Sequence, residues 1–227
     1  MEAERIPQVV ERTREKKPPK TFSKKISVLL LFLTLAITVG IGYALGHFYF
    51  WSDLDMKRVN AQLDYYKQEV NKDPTNLKNR IVLGYTYFLK GQDNEAVKQF
   101  YYVIDKDKNY YDAHYNLGLV FLKEKEYNDA LMEFQKAVNI APRDFKGYVQ
   151  LGITFRELKD YKKATEALEQ ANKLNPTNAD IIYQIGKVAE AKGDKKSAIE
   201  IYKDALQYDP LYKDAINALD RLNAKDK

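Results

Sequence analysis

One interval organises most of this chain: a pattern of small and apolar residues that returns every 34 positions. Leu83-Gly84, Leu117-Gly118, Leu151-Gly152 and Ile185-Gly186 share that interval. Twelve residues after each glycine stands Ala96, Ala130, Ala164 or Ala198, and four further on Phe100, Phe134, Leu168 or Tyr202. Val103, Ala137, Ala171 and Ala205 follow, then Lys108, Pro142, Pro176 and Pro210. Glycine inside a helix costs about 1 kcal/mol against alanine, so four copies at one register imply that another helix comes close there. The alanine twelve positions on is the expected facing residue. The prolines stop the second helix of their copies, because the residue before a proline disfavours the αR region. Gly91, Asn94, Asn128, Gly193 and Asp194 fall between the two helical stretches and are expected in connecting turns. Each copy is then a helical hairpin that cannot bury its apolar face alone and must stack on its neighbours.

The stretch Asp112-Ala113-His114-Tyr115-Asn116-Leu117-Gly118, continued by Tyr127-Asn128-Asp129-Ala130, resembles the tetratricopeptide repeat (TPR) family. So do the Asn-Ile-Ala-Pro, Leu-Asn-Pro and Tyr-Asp-Pro endings. Counted from seven residues before each glycine, the repeats are 77–110, 111–144, 145–178 and 179–212. The resemblance implies an all-α fold, an α-solenoid of four helical hairpins. Departures from the family pattern are Arg80 at a usually apolar site, Lys108 in place of proline and Ala189 in place of an aromatic.

Flanking segments fit the same scheme. Residues 52–76 hold an amphipathic helix over 53–72, with Met56, Val59, Leu63, Tyr66 and Val70 along one stripe and Asp73-Pro74 at its end. Pro74 stands one period before Lys108, so this helix takes the place of a second helix whose first is missing. Gln62 and Glu69 replace the alanine or valine of the true repeats, in keeping with that missing partner. The stripe is expected to dock on the first repeat, with a short two-helix coiled coil as the competing reading. At the other end, residues 213–227 should form a capping helix, with Ala215, Leu219 and Leu222 set among charges.

Ahead of the repeats, residues 26–51 carry no formal charge. Such a run exceeds the ~20 apolar residues that a transmembrane helix needs. Phe48, Tyr49, Phe50 and Trp51 close it as an aromatic girdle. Residues 1–25 hold eight basic and four acidic side chains, so net +4 of the chain's +5 sits before the run. By the positive-inside bias this tail stays cytoplasmic, and the repeats lie on the extracytoplasmic side of a cell membrane that the chain crosses once. A cleaved signal peptide with Ala44-Leu45-Gly46 as the small-x-small site competes, but the long run and aromatic belt favour a retained anchor. Gly42 and Gly46 form a G-x-x-x-G pair on which two such spans could pack into a homo-oligomer, although glycine is common in membrane helices in general.

Composition then excludes several activities. With no cysteine and histidine only at His47 and His114, thiol catalysis and cysteine-containing zinc sites have no material. His114 reads as a structural histidine on the first helix of the second repeat. No phosphate-binding glycine loop follows a strand. The chain is therefore expected to be no enzyme, with no cofactor and no metal. Residues 52–227 carry only +1, with lysines interleaved among acids, which argues against nucleic acid.

What remains is the concave face that stacked first helices make, and in this family that groove binds an extended peptide or a helix of a partner. Side chains three before, one after and four after each glycine should face it. These are Ile81, Tyr85 and Phe88; Tyr115, Leu119 and Leu122; Val149, Ile153 and Arg156; and Tyr183, Lys187 and Glu190. Asn116 and Lys146 match the carboxylate-clamp set of chaperone-binding relatives, but Ile81 and Tyr85 stand where its lysine and asparagine would be. Partners are thus expected to be proteins met through apolar contact. The expected role is a non-catalytic membrane-anchored scaffold, in a secretion or envelope-assembly complex. A holdase for newly translocated chains and a homo-oligomeric membrane element are the alternatives. Whether the 53–72 helix covers part of the groove is left open by sequence.

Overall fold

The computed structural model describes residues 52–224, which form ten helices joined by short turns. The basic tail, the span expected at 26–51 and its Gly42/Gly46 face lie outside the described residues. Among the described residues, no helix is long and apolar enough to cross a membrane.

The leading helix α1 runs over Ser52–Lys72. Four hairpins follow: α2 (Leu77–Leu89) with α3 (Asp93–Lys106), and α4 (Tyr111–Lys123) with α5 (Tyr127–Ile140). Then come α6 (Phe145–Glu157) with α7 (Tyr161–Leu174), and α8 (Ala179–Ala191) with α9 (Lys195–Tyr208). Helix α10 (Lys213–Ala224) ends the series. Each helix packs most closely on its hairpin partner and next on the following hairpin, and the first helices α2, α4, α6 and α8 also adjoin one another. That is the nearest-neighbour arrangement of a solenoid.

Local chemistry accounts for where the helices start and stop. Asn76, Asp144, Asp160, Asn178 and Asp194 cap their helices by accepting a backbone N–H two or three residues on. Each hairpin turn places one residue at positive φ: Gly91 (75°), Lys125 (63°), Lys159 (62°) and Gly193 (87°). The next residue's N–H then reaches back five positions, as from Gln92 to the Tyr87 carbonyl at 2.9 Å, closing the helix end. Asn94 and Asn128, expected in these turns, instead lie inside the first turns of α3 and α5. Second helices end two residues before Pro142, Pro176 and Pro210, and α3 ends at the same register before Lys108. There the Asp107 carboxylate accepts the Asn109 N–H at 2.9 Å, as Asp209 accepts that of Leu211 at 3.0 Å. This side-chain turn does without proline what the other repeats do with it.

The repeated glycines are indeed points of close approach, but the nearest atoms belong to a larger side chain, with the expected alanine also close only at Gly152, where the Ala164 carbonyl lies at 3.2 Å. A Cβ added to Gly84, Gly118 or Gly186 would lie 2.6, 2.6 or 2.5 Å from a ring carbon of Phe100, Phe134 or Tyr202. At Gly152 the contact is Leu168 Cγ at 2.5 Å. Large buried side chains sixteen positions on fill the hollow that each glycine leaves. The alanines at twelve are fully buried beside them.

Helix α1 docks on the first hairpin through Leu63, Tyr66 and Val70, which pack on Leu83 and Tyr87. Lys67 Nζ sits 5.6 Å from the Tyr87 ring centroid. The earlier part of the stripe does not pack as tightly: Met56 is exposed and Val59 half-buried. Gln62 is exposed and Glu69 pairs with Lys72, and among the described residues no first helix precedes α1 to cover that face. Helix α10 buries Ala215, Ala218 and Leu222 against the last hairpin.

Candidate protein-binding groove

Two of the four first helices bring part of the expected groove set into one open hollow of ≈ 370 Å³, lined by Ile81, Val82, Tyr85, Asp112, Tyr115, Asn116 and Leu119. It lies between α2 and α4. Ile81 forms its floor and is buried among Phe100, Ala113 and Leu117. Tyr85 stands at the mouth with 39% exposure, its ring 6.2 Å from that of Phe88. Lys123 Nζ lies 5.0 Å above the Phe88 ring. Tyr115 is held by a stack on Tyr111 at 5.7 Å and by the edge of Phe134 at 6.0 Å. Asn116 Nδ2 donates to the Asp112 carbonyl at 2.7 Å, which fixes the amide on its own helix.

Other expected residues are dispersed. Leu122 is half-buried against the Ala130–Phe134 cluster. Val149 is buried and Ile153 half-buried with Ala171 and Ile181. Lys146 is exposed at the start of α6. Arg156, Lys187 and Glu190 line a second hollow of ≈ 280 Å³. Tyr183 enters neither. Its ring packs 5.4 Å from Tyr202 and 5.5 Å from Tyr212, so the capping segment closes the groove at this end. Arg221 of α10 grips both oxygens of Glu190, and the Tyr202 hydroxyl donates to Glu190 at 2.8 Å. The Arg221 bond holds the Glu190 carboxyl down at about 2.

The leading helix leaves this hollow open. α1 packs on Leu83 and Tyr87, while Tyr85 between them points into the hollow and stays exposed. The helix therefore covers the opposite side of α2.

Chemically, the hollow is a mixed apolar and hydrogen-bonding surface. It offers two phenols, three aliphatic side chains, an amide already bonded to backbone and the Asp112 carboxylate at its rim. Burial pushes the Tyr115 phenol up, so it is a neutral hydrogen-bonding group at ordinary pH. Among the described residues, no group of three or more His, Cys, Asp or Glu is placed to hold a metal ion.

One polar device goes beyond the structural histidine expected at 114. His114 (3% exposed) and Glu133 (2%) are both buried, with Nδ1 2.6 Å from Glu133 Oε2 and Nε2 2.9 Å from the Lys108 carbonyl. Both ring nitrogens thus face acceptors, which an imidazolium satisfies by donating twice. Lys136 Nζ donates to the other Glu133 oxygen at 2.8 Å. The hydrogen bond to Glu133 raises the His114 pKa. Burial alone would raise that of Glu133, but the bonds from His114 and Lys136 outweigh it and lower it. The same positions one repeat earlier hold Arg80, whose Nη1 donates to Gln99 at 2.9 Å and whose Nε donates to the Pro74 carbonyl at 2.8 Å. Arg80 and His114 are therefore one device, in which a basic side chain ties its hairpin to the preceding turn.

With this geometry in view, family profiles described as tetratricopeptide repeat match residues 155–222 and 111–144, and one described as TPR repeat matches 84–125. Comparison with curated proteins gives no match. Among solved structures, the crystal structure of MamA is 26% identical with a TM-score of 0.60, covering 70% of this chain and 96% of its own. A thermophilic TPR protein of Thermus thermophilus is 18% identical with a TM-score of 0.66, covering 76% of this chain and 94% of its own. YrrB, described as a TPR protein with an unusual peptide-binding site, is 22% identical with a TM-score of 0.58, covering 72% and 84%. Within residues 84–144 and 155–222 the chain therefore carries tetratricopeptide repeats, and the solved structures share their fold.

Proposed function

We propose that this protein is a non-catalytic membrane-anchored scaffold that holds a peptide or helix of a partner protein in the groove lined by α2, α4, α6 and α8. The observation that carries the reading is the open, mostly apolar hollow between α2 and α4, with Tyr85 exposed at its mouth and the leading helix docked elsewhere. Aromatic anchors at the centre of a hollow are the residues that dominate binding energy in protein interfaces. Attachment to the membrane is supported by the uncharged run 26–51, and its direction by the net +4 that precedes it. The repeats then stand on the extracytoplasmic side, where a secretion or envelope-assembly complex would be organised.

Tyr85→Asp tests the groove with little risk to the fold, since the side chain is already exposed. The full-length variant should lose a partner co-purified from solubilised membranes by tenfold or more while its helical signal is unchanged. Retention of the partner at wild-type levels would contradict the reading. In sealed membrane vesicles of known sidedness, protease should reach the repeats only from the extracytoplasmic face; digestion from the cytoplasmic face would reverse the topology.

A further inference from the structure

The first hollow is lined by α2 and α4 alone, whereas the second is lined by the last turns of α6 and α8 with Lys159 of the α6–α7 turn and Tyr161 of α7, and the two differ in charge. Position for position, Tyr85 and Leu119 give way to Ile153 and Lys187, and Phe88 and Leu122 give way to Arg156 and Glu190. Arg156, Glu157, Lys159, Lys187 and Glu190 all line the second hollow. Its carboxylates are already engaged. Glu157 accepts from Arg156 Nη2 at 2.9 Å, and Glu190 is gripped by Arg221 and Tyr202. Arg156 Nη1 also donates to Gln184 at 2.9 Å. Lys187 adds its charge to the forces that lower the Glu190 pKa, and neither its ammonium nor that of Lys159 donates a side-chain hydrogen bond among the described residues. This end of the groove is therefore left with a surplus of positive charge, while the first hollow carries the Asp112 carboxylate and no cation.

We infer that the groove takes an extended partner segment whose apolar side chains fill the α2–α4 hollow and whose Asp or Glu side chains meet Lys159 and Lys187. This rests on the groove reading above. First helices that adjoin at about 8–10 Å put the two hollows on the order of 20 Å apart, which an extended chain spans in about six residues at ~3.3 Å each. Charge sets the direction: Asp112 repels an acidic stretch at the first hollow, and the positive surplus around Lys159 and Lys187 attracts it at the second. Complementarity of this kind fixes register and partner choice more than raw affinity.

The test is an mRNA-display selection of random twelve-residue peptides, without a free terminal carboxylate, on the full-length protein. Selected peptides should pair an aromatic or aliphatic anchor with Asp or Glu about six residues away. They should bind the Lys159→Glu/Lys187→Glu variant at least tenfold more weakly, and recover when their acids are changed to lysine. Absence of acidic enrichment, or indifference to the double variant, overturns the charge assignment. Selected peptides that bind Tyr85→Asp undiminished, or a selection that yields no binder, overturn the groove reading as well. Peptides that need Tyr85 but ignore the lysines leave the groove standing and reject only the acidic partner.

Discussion

Gly152→Leu should destabilise the solenoid by about 3 kcal/mol or more, read as a lower urea midpoint of the helical signal. The first carbon of any side chain here would already lie 2.5 Å from Leu168 Cγ and 3.2 Å from the Ala164 carbonyl oxygen. Leu168 is fully buried, and the atom in the way is its branch point, so no rotation of a flexible end relieves the overlap. Helix propensity works the other way by about 1 kcal/mol, which the overpacking exceeds. Because each hairpin is supported by its neighbours, prying α6 from α7 also loosens the third repeat's contacts with the second and fourth. Lys162→Glu, on the exposed surface of α7, is the control and should stay within about 0.5 kcal/mol. Equal stability of Gly152→Leu and wild type would mean that these helices do not pack as described.

Glu133→Leu is the second large effect, about 3–5 kcal/mol, because it leaves His114 buried without its carboxylate. Glu133→Gln should be milder. A neutral imidazole can donate to the Lys108 carbonyl through Nε2 and accept the glutamine amide at Nδ1. What Gln removes is the pH dependence. The His114 pKa is raised above 6.5, so its contribution is full below about 6.5 and lost as pH rises through the folded value. The Glu133 pKa is lowered below 4.5, so its contribution is full above about 4.5 and lost as pH falls through the folded value. The pair thus stabilises most between about 4.5 and 6.5, and urea midpoints of Glu133→Gln should vary less below and above that window. The double change His114→Ile/Glu133→Ile copies Ile182 and Ile201 of the fourth repeat and should be neutral or stabilising. A loss as large as that of Glu133→Leu would show that the pair contributes more than satisfied burial.

Much of the fold is legible because the 34-residue period ties one backbone geometry to one set of small residues. The glycines, alanines and prolines mark out the hairpins, and the second-helix register of α1 follows from counting back from Pro74. The facing residue at each glycine is not legible in the same way, because a small residue looks like the natural complement of another small one. Packing works instead by a large side chain over a gap, so the partner is Phe100, Phe134, Leu168 or Tyr202. The His114–Glu133 bond does have a signal in the sequence. Arg80 and Gln99 stand in the same two positions one period earlier, so a polar pair nineteen apart recurs.

The groove is legible as a register but not as a surface. Ile81 and Val149 occupy the same position and are both buried, because that position points between helices rather than fully outward. Tyr183 shares it too and is covered by the segment around Tyr212, which stands where a fifth repeat would begin. Which side of α2 the leading helix takes depends on Leu63 and Val70 meeting Leu83, a tertiary contact that no local pattern specifies.

The most direct test of the groove is photo-crosslinking in membranes, with the crosslinkable residue placed at position 85 in one variant and at exposed position 162 in another. The account predicts one or a few discrete adducts from position 85 and none from position 162. A broad smear of adducts from position 85 would point to a holdase for many chains. Adducts from both positions, or from 162 alone, would contradict a partner site in the groove.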